Sequence, residues 1–212
     1  MPNCYQCNDN KREICNEPIS RKEFNLPENA FVFTCFCAHK KISSNEFNIW
    51  MRILEQTEGS VIWLYNSNPI AMKNLCKEAE IRNVDPNRLV FAKKFPLKRH
   101  LARHSLGDLG LDTFNYNGHT TTSDALWSGL PVLTKLGESF AARVSASLLF
   151  SLGVPELITK NEREYEDKAL YLARNPKELI KLKEKIATLR EKSTLFNSEL
   201  FTKDLENKFK EL

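Results

Sequence analysis

The chain has 212 residues, 42% of them hydrophobic and 27% charged, and a net charge of +4 at neutral pH. That length suits one good-sized domain or at most two small ones, and the apolar share is ordinary for a packed globule. The mild charge, with no dense Lys/Arg tract interleaved with aromatics, argues against a nucleic-acid surface. No apolar run reaches membrane-spanning length and no signal-peptide-like segment opens the chain, so a soluble, cytoplasmic protein is expected.

Residues 1–28 carry few apolar side chains and several breakers, among them Pro2, Asn8, Asn10, Pro18 and Pro27. They read as a connecting segment that leans on something else, which suggests one half of a larger protein. Cys4-x-x-Cys7 is half of a zinc knuckle. The next cysteine is Cys15, and no second pair at ligand spacing follows, so reduced, mostly buried thiols are expected and no metal.

From Phe31 the chain alternates strand and helix patterns. Phe31–Cys37 is apolar on both faces, as a central parallel strand is. A loop over 38–42 leads to a helix capped by Ser44, with Phe47, Ile49, Trp50, Ile53 and Leu54 as its buried stripe. Val61–Tyr65 is the second strand. Pro69 opens a helix to about Arg82 with Met72, Leu75, Cys76 and Ala79 inward, and Leu89–Ala92 is the third strand. Pro96–His104 reads as a short basic helix on which His100 and Arg103 share a face. His39 and His104 are expected at the surface.

Leu109–Thr113 is the next strand, followed by a polar turn, Asn115–His119, and a helix opening with His119-Thr-Thr-Thr. Gly129 and Pro131 stop that helix, and Val132–Thr134 is a buried strand. Trp127 is assigned to the core. A second helix is expected to start at Gly137-Glu138, with Glu138 as a partner for its dipole, and to end at Gly153 and Pro155. A short edge strand over 156–159 and helices over 161–174, 176–192 and 198–211 complete the chain. Strands alternating with helices, without a repeat period, indicate a Rossmann-like, doubly wound parallel α/β sheet with extra C-terminal helices.

The strand–turn–helix around Gly118 is the expected site. The first N–H groups of a helix have no internal partner and carry partial positive charge, so they favour an anion. His119, Thr120 and Thr121 surround that end, and Asp124 lies one turn further in, where a carboxylate accepts from sugar hydroxyls. The plainer reading is a Thr that only caps the helix. The crowding of His, Thr and Asp beyond a strand end, where open parallel sheets hold ligands, favours a diphosphate.

Three stretches, Phe36-Cys-Ala-His-Lys-Lys-Ile42, Asp112 through Trp127 and Gly137 through Ser147, resemble the C-terminal catalytic half of the O-linked N-acetylglucosamine transferase family, which includes SPINDLY-like O-fucosyltransferases. The closing Ser193–Asn197 and Phe201–Leu205 resemble that family's end. The resemblance implies the C-terminal, donor-binding domain of a GT-B glycosyltransferase over residues 29–212, joined by residues 1–28 to an N-terminal half. It places His119, Thr120 and Thr121 at the donor diphosphate, Asp124 on the ribose, Lys41 beside the departing phosphates, His100 and Arg103 on the base, and main-chain groups of Phe95 at the uracil edge. Two positions depart from the family. Ala38 stands where animal members have glutamine, and Leu97 replaces a lysine near the nucleoside, for which Lys98 is a possible substitute.

The resemblance further implies a metal-independent enzyme with no cofactor beyond its nucleotide-sugar donor, UDP-GlcNAc. The acceptor is Ser or Thr of proteins held by tetratricopeptide repeats. The alternatives are a non-catalytic nucleotide-sugar-binding module, or O-fucosyl transfer from GDP-fucose.

Overall fold

The computed structural model describes residues 1–66 and 68–211. Val32–Cys35 (β1), Val61–Tyr65 (β2), Leu89–Ala92 (β3), Leu109–Leu111 (β4), Val132–Lys135 (β5) and Ile158–Thr159 (β6) form a parallel sheet in the order β3-β2-β1-β4-β5-β6. Phe33 of β1 registers with Ile62 on one side and Leu109 on the other. The chain thus winds outward from β1 to β3, returns to the centre, and winds the other way from β4 to β6.

The helices are Ser44–Glu55 (α1), Pro69–Ile81 (α2), Leu97–Ala102 (α3), Thr120–Trp127 (α4), Val144–Leu152 (α5), Glu162–Arg174 (α6), Pro176–Arg190 (α7) and Ser198–Lys210 (α8). Period-two alternation sorts the central strands between two cores. Phe33, Cys35, Ile62 and Leu64 face the larger one, with Trp50 of α1 and Tyr165 of α6. Val32, Phe36, Val61 and Trp63 face a smaller one, closed by Phe24 and Leu26. Burial on both faces is why these strands read as unbroken apolar runs.

Residues 1–28 lie along the domain. Cys4, Asn8, Phe24 and Leu26 are buried, and Arg21 bonds to the carbonyls of Pro27, Glu28 and Ala30 and pairs with Asp108. All six cysteines are free thiols, but only Cys4, Cys35 and Cys37 are buried, fewer than expected.

Several elements differ from their sequence reading. The N-cap of α1 is Ser43, whose hydroxyl meets Glu46, and Ser44 is the first helical residue. On α2 Ala79 is buried, while Met72, Leu75 and Cys76 are only half-covered, because the helix flanks the sheet's β3 edge. The helix expected from Gly137 starts at Val144. Asn117 Oδ1 accepts the amide of Ser145 at 3.2 Å, capping α5 there, and Gly137 N–H closes a turn onto the Ala142 carbonyl at 2.9 Å. Glu138 therefore sits in that turn and not on a helix. His104, expected at the surface, is 2% exposed, and its Nδ1 donates to the His100 carbonyl at 2.9 Å. His39 is half-buried, edge-on to Phe91.

Candidate functional site

β1 and β4 are adjacent in the sheet, and the chain leaves their C-terminal ends in opposite directions. In open α/β sheets this switch point opens the ligand crevice. The loop after β1 brings Lys41 on the short helical turn His39–Lys41, and the loop after β4 brings residues 112–119 to the start of α4. A cleft of about 460 Å³ lies between them, lined by Lys40, Lys41, Ile42, Ser43, Asn115 and Tyr116.

The β4 loop is tied down from inside. Asp112 is buried, and its carboxylate accepts from Gly118 N–H and from the Thr134 hydroxyl, each at 2.7 Å. Burial still raises its pKa to about 6, with those hydrogen bonds pulling the other way. Asn117 is also buried and donates to the Thr113 carbonyl at 2.7 Å. Gly118 has no room for a side chain, since a Cβ would meet Thr122 Oγ1 at 2.4 Å and Thr121 Oγ1 at 2.8 Å.

This scaffold presents the expected residues. His119 is the N-cap residue of α4, and its side chain makes no capping hydrogen bond. Thr120 and Thr121 are the first two residues of the helix and not its N-cap. Thr120 is exposed and Thr121 half-buried, its hydroxyl 3.5 Å from Cys37 Sγ. The His119 ring stacks on Tyr116 (4.9 Å between centroids, 18° between planes), and its Nδ1 is 2.8 Å from the Tyr5 hydroxyl. Burial, then the Lys41 charge, lower the His119 pKa, while burial raises that of Tyr5. Both groups are therefore neutral at pH 7. Lys41 Nζ donates to the Asn117 carbonyl at 2.8 Å and lies 3.9 Å from the Tyr116 ring centroid.

A second group lies at the other end of the β1 loop. Arg103, 1% exposed, donates to the Lys93 carbonyl and to His100 Nδ1, each at 2.6 Å. Its guanidinium packs against Phe36, Trp63 and Phe95, so this is a buried hub and not a solvated basic face. Burial, then Arg103, lower the His100 pKa to about 4, leaving a neutral ring that accepts from the guanidinium. Phe95 is half-buried, edge-on to Phe24. Lys98 is paired with Glu13 at the surface, and Leu97 is exposed.

Asp124, the remaining expected residue, is buried on α4 and paired with Arg12. Sequence reasoning missed Arg12, Tyr5, Asp112 and Asn117. Asp112 and Asn117 stand inside the motif, and the turn chemistry of Asx residues beside Gly118 was the available signal.

The model of glycosyl transferase family 41 matches residues 8–205, nearly the whole chain. The chain belongs to that family. The UDP-N-acetylglucosamine–peptide N-acetylglucosaminyltransferase of Caenorhabditis elegans is 37% identical over 197 residues, which are 92% of this chain and 17% of that protein. The probable UDP-N-acetylglucosamine–peptide N-acetylglucosaminyltransferase SEC of Arabidopsis thaliana is 32% identical over 99% of this chain and 22% of its own length. This family-41 chain thus spans about a fifth of those relatives. A mutant O-GlcNAc transferase of Thermobaculum terrenum superposes with a TM-score of 0.81 at 31% identity, covering 85% of this chain and 35% of that one. An Anabaena protein solved with UDP and glucose shares the fold alone, with a TM-score of 0.63 at 12% identity. The structural neighbours include GT-B glycosyltransferases, and the α/β sheet here is one Rossmann-like domain of that architecture. Among the described residues no helix is long and apolar enough to cross a membrane.

Proposed function

We propose that this chain is the donor-binding half of a metal-independent protein O-glycosyltransferase, which moves N-acetylglucosamine from UDP-GlcNAc to Ser or Thr of a protein acceptor. The observation that carries the reading is the first turn of α4 at the β1/β4 switch point, with Lys41 held on the Asn117 carbonyl of the loop that leads into it. In the reaction the acceptor hydroxyl oxygen bonds to the anomeric carbon as that carbon's bond to the diphosphate breaks. The bonding pair leaves on the β-phosphate oxygen, and the hydroxyl proton passes to a base in the N-terminal half. The α4 N–H groups, the Thr120 and Thr121 hydroxyls and the Lys41 ammonium are donors suited to the negative charge that grows on the diphosphate, with the His119 ring beside them. Asp124 receives the ribose. His100, oriented by Arg103, and the main chain at Phe95 receive the base.

Supporting the reading are the family membership and relatives whose names carry this activity; because the chain spans about a fifth of them, transfer requires the N-terminal half and the acceptor its repeats. Calorimetry of the 212-residue chain with UDP, GDP and uridine tests it, with a glycosylation assay run with and without an N-terminal half. Expected are binding of UDP, weaker binding of GDP and uridine, and no transfer by the chain alone. A folded chain that ignores UDP sinks the donor-site reading. A chain that binds UDP yet supports no transfer in the reconstituted enzyme is a binding module.

A further inference from the structure

Asp124 sits one turn inside α4, 6% exposed, on the helix whose N-terminus forms the diphosphate site. Burial there disfavours the charge of a lone carboxylate and raises its pKa. Its partner comes from more than a hundred residues away in sequence. One guanidinium nitrogen of Arg12 bonds Asp124 Oδ1 and the other lies 3.3 Å from Ser123 Oγ, so a single fork spans two successive residues of α4. The Arg12 side chain is itself 9% exposed, 5.6 Å from the Trp127 ring centroid and 6.0 Å from that of Phe196. Its carbonyl accepts from Trp127 Nε1 at 3.1 Å, and Asn8 Oδ1 accepts from the Ser123 hydroxyl at 2.7 Å. Both partners are thus withdrawn from water and locked by packing. That is the setting in which a charge-assisted pair fixes a rotamer instead of fluctuating. Among the described residues the other carboxylate oxygen, Oδ2, takes no hydrogen bond.

We infer that Arg12 is a positioning residue for the nucleotide sugar: it aligns Asp124 through Oδ1 so that Oδ2 accepts from the ribose hydroxyls. The inference rests on the donor-site reading above and adds to it a residue outside the α/β sheet on which ribose recognition depends. The directions of the charge effects agree. Burial raises the Asp124 pKa and Arg12 opposes that rise. An ionised carboxylate with a free oxygen is the strongest acceptor available to a sugar hydroxyl, whereas a protonated one must spend part of its capacity as a donor.

The test compares UDP with 2′,3′-dideoxy-UDP on the full chain. The parent is expected to prefer UDP by about tenfold to a hundredfold, the range for hydrogen bonds to a charged group. Arg12→Met, which keeps the packing over Trp127 and removes the charge, should bring that preference to within about threefold while dideoxy-UDP binds within about twofold of the parent. Asn8→Ala loosens the arm without touching the guanidinium and should keep the preference. In the same Arg12→Met protein, carbon-13 titration of the Asp124 carboxyl should show a raised pKa.

An intact preference in Arg12→Met overturns the inference, as does equal weakening of both nucleotides, which marks a role in arm docking alone. So does an Asp124 pKa equal to that of the parent. If Arg12→Met does not fold, Arg12→Lys carries the comparison, because an ammonium cannot bridge both acceptors and the preference should fall at least about threefold; an unchanged preference overturns the idea. A parent that binds both nucleotides alike defeats the inference and leaves the donor site standing. A parent that binds neither defeats both.

Discussion

At the scale of single residues, the site divides into groups that face the cleft and groups that hold them. On the proposed donor site, Thr121→Ala and His119→Ala each remove one diphosphate contact, and each should weaken UDP binding by about 1–2 kcal/mol. Calorimetry with uridine provides the contrast, since uridine has no phosphate and should bind as before. If uridine weakens equally, the two side chains support the loop and not the ligand. Lys41 acts differently. Its Nζ already has the Asn117 carbonyl and the Tyr116 face as partners, so it stands in position before any ligand arrives. A lysine beside the leaving diphosphate meets more negative charge in the transition state than in the ground state. Lys41→Ala should therefore lower kcat and kcat/KM together, by about 10²–10³, in the enzyme reconstituted with its N-terminal half. Rates within twofold of the parent would remove Lys41 from the chemistry. The residues at the start of α4 were legible because a strand end, a glycine and a helix start are consecutive in sequence. Arg12 and Tyr5 were not, because no periodicity links them to Asp124 and His119 more than a hundred positions away.

At the scale of elements, the strands and the long helices follow their sequence patterns closely, whereas the helix boundaries that failed are those set by tertiary contacts. The start of α5 is the clearest case. Residues 138–142 carry no local stop signal, and it is the buried Asn117 of a different loop that caps the helix at Ser145. The basic stretch Lys98–His104 misleads for a related reason. Charge marks it as exposed, yet α3 turns Arg103 and His104 under the Phe36 ring, where aromatic faces and two carbonyls replace water. The tightest junction between elements is Gly118. Its amide anchors Asp112, and its missing side chain lets Thr121 and Thr122 fold over it. Thr122 Oγ1 cannot retreat, because it is bonded to Ser145 Oγ at 2.8 Å. Gly118→Ala should thus cost about 1–3 kcal/mol of stability, the usual price of overpacking, and weaken UDP binding as well. Thermal denaturation alongside calorimetry reads both, and a variant with parental values on each would show that the turn yields.

At the scale of the whole molecule, two features matter: the strand order, which places the crevice between β1 and β4, and a group of buried titratable side chains around that crevice. The strand order was not written in the periodicity, which indicates a parallel sheet but not which strand lies at its centre. The buried groups make a prediction about acid. His100 and His104 have folded pKa values of about 4 and about 3, pushed down first by burial. Below an unfolded value of about 6.5 the unfolded chain takes up two protons that the folded chain refuses, so these residues withdraw stability as pH falls. The lowered pKa values of His119 and His39 act in the same direction. Asp112 opposes them. Its pKa is raised from 3.8 to about 6, so the folded state binds a proton before the unfolded state does, and its contribution is fully present below about pH 4 and lost as pH rises through 6. Asp124, raised to a lesser degree, has the same sign. Between about pH 4 and 6 the two buried histidines outweigh Asp112 by roughly one proton, so these three groups together lower stability by about 1.4 kcal/mol for each unit of acidification. His119 and His39 add to the fall and Asp124 opposes it. Asp112→Asn removes the opposing proton but keeps an acceptor for Gly118 N–H, so its decline over the same window should steepen to about two protons per molecule. Urea unfolding at half-unit steps of pH measures both slopes. If the parent and Asp112→Asn decline in parallel, Asp112 does not take up its proton in the folded state.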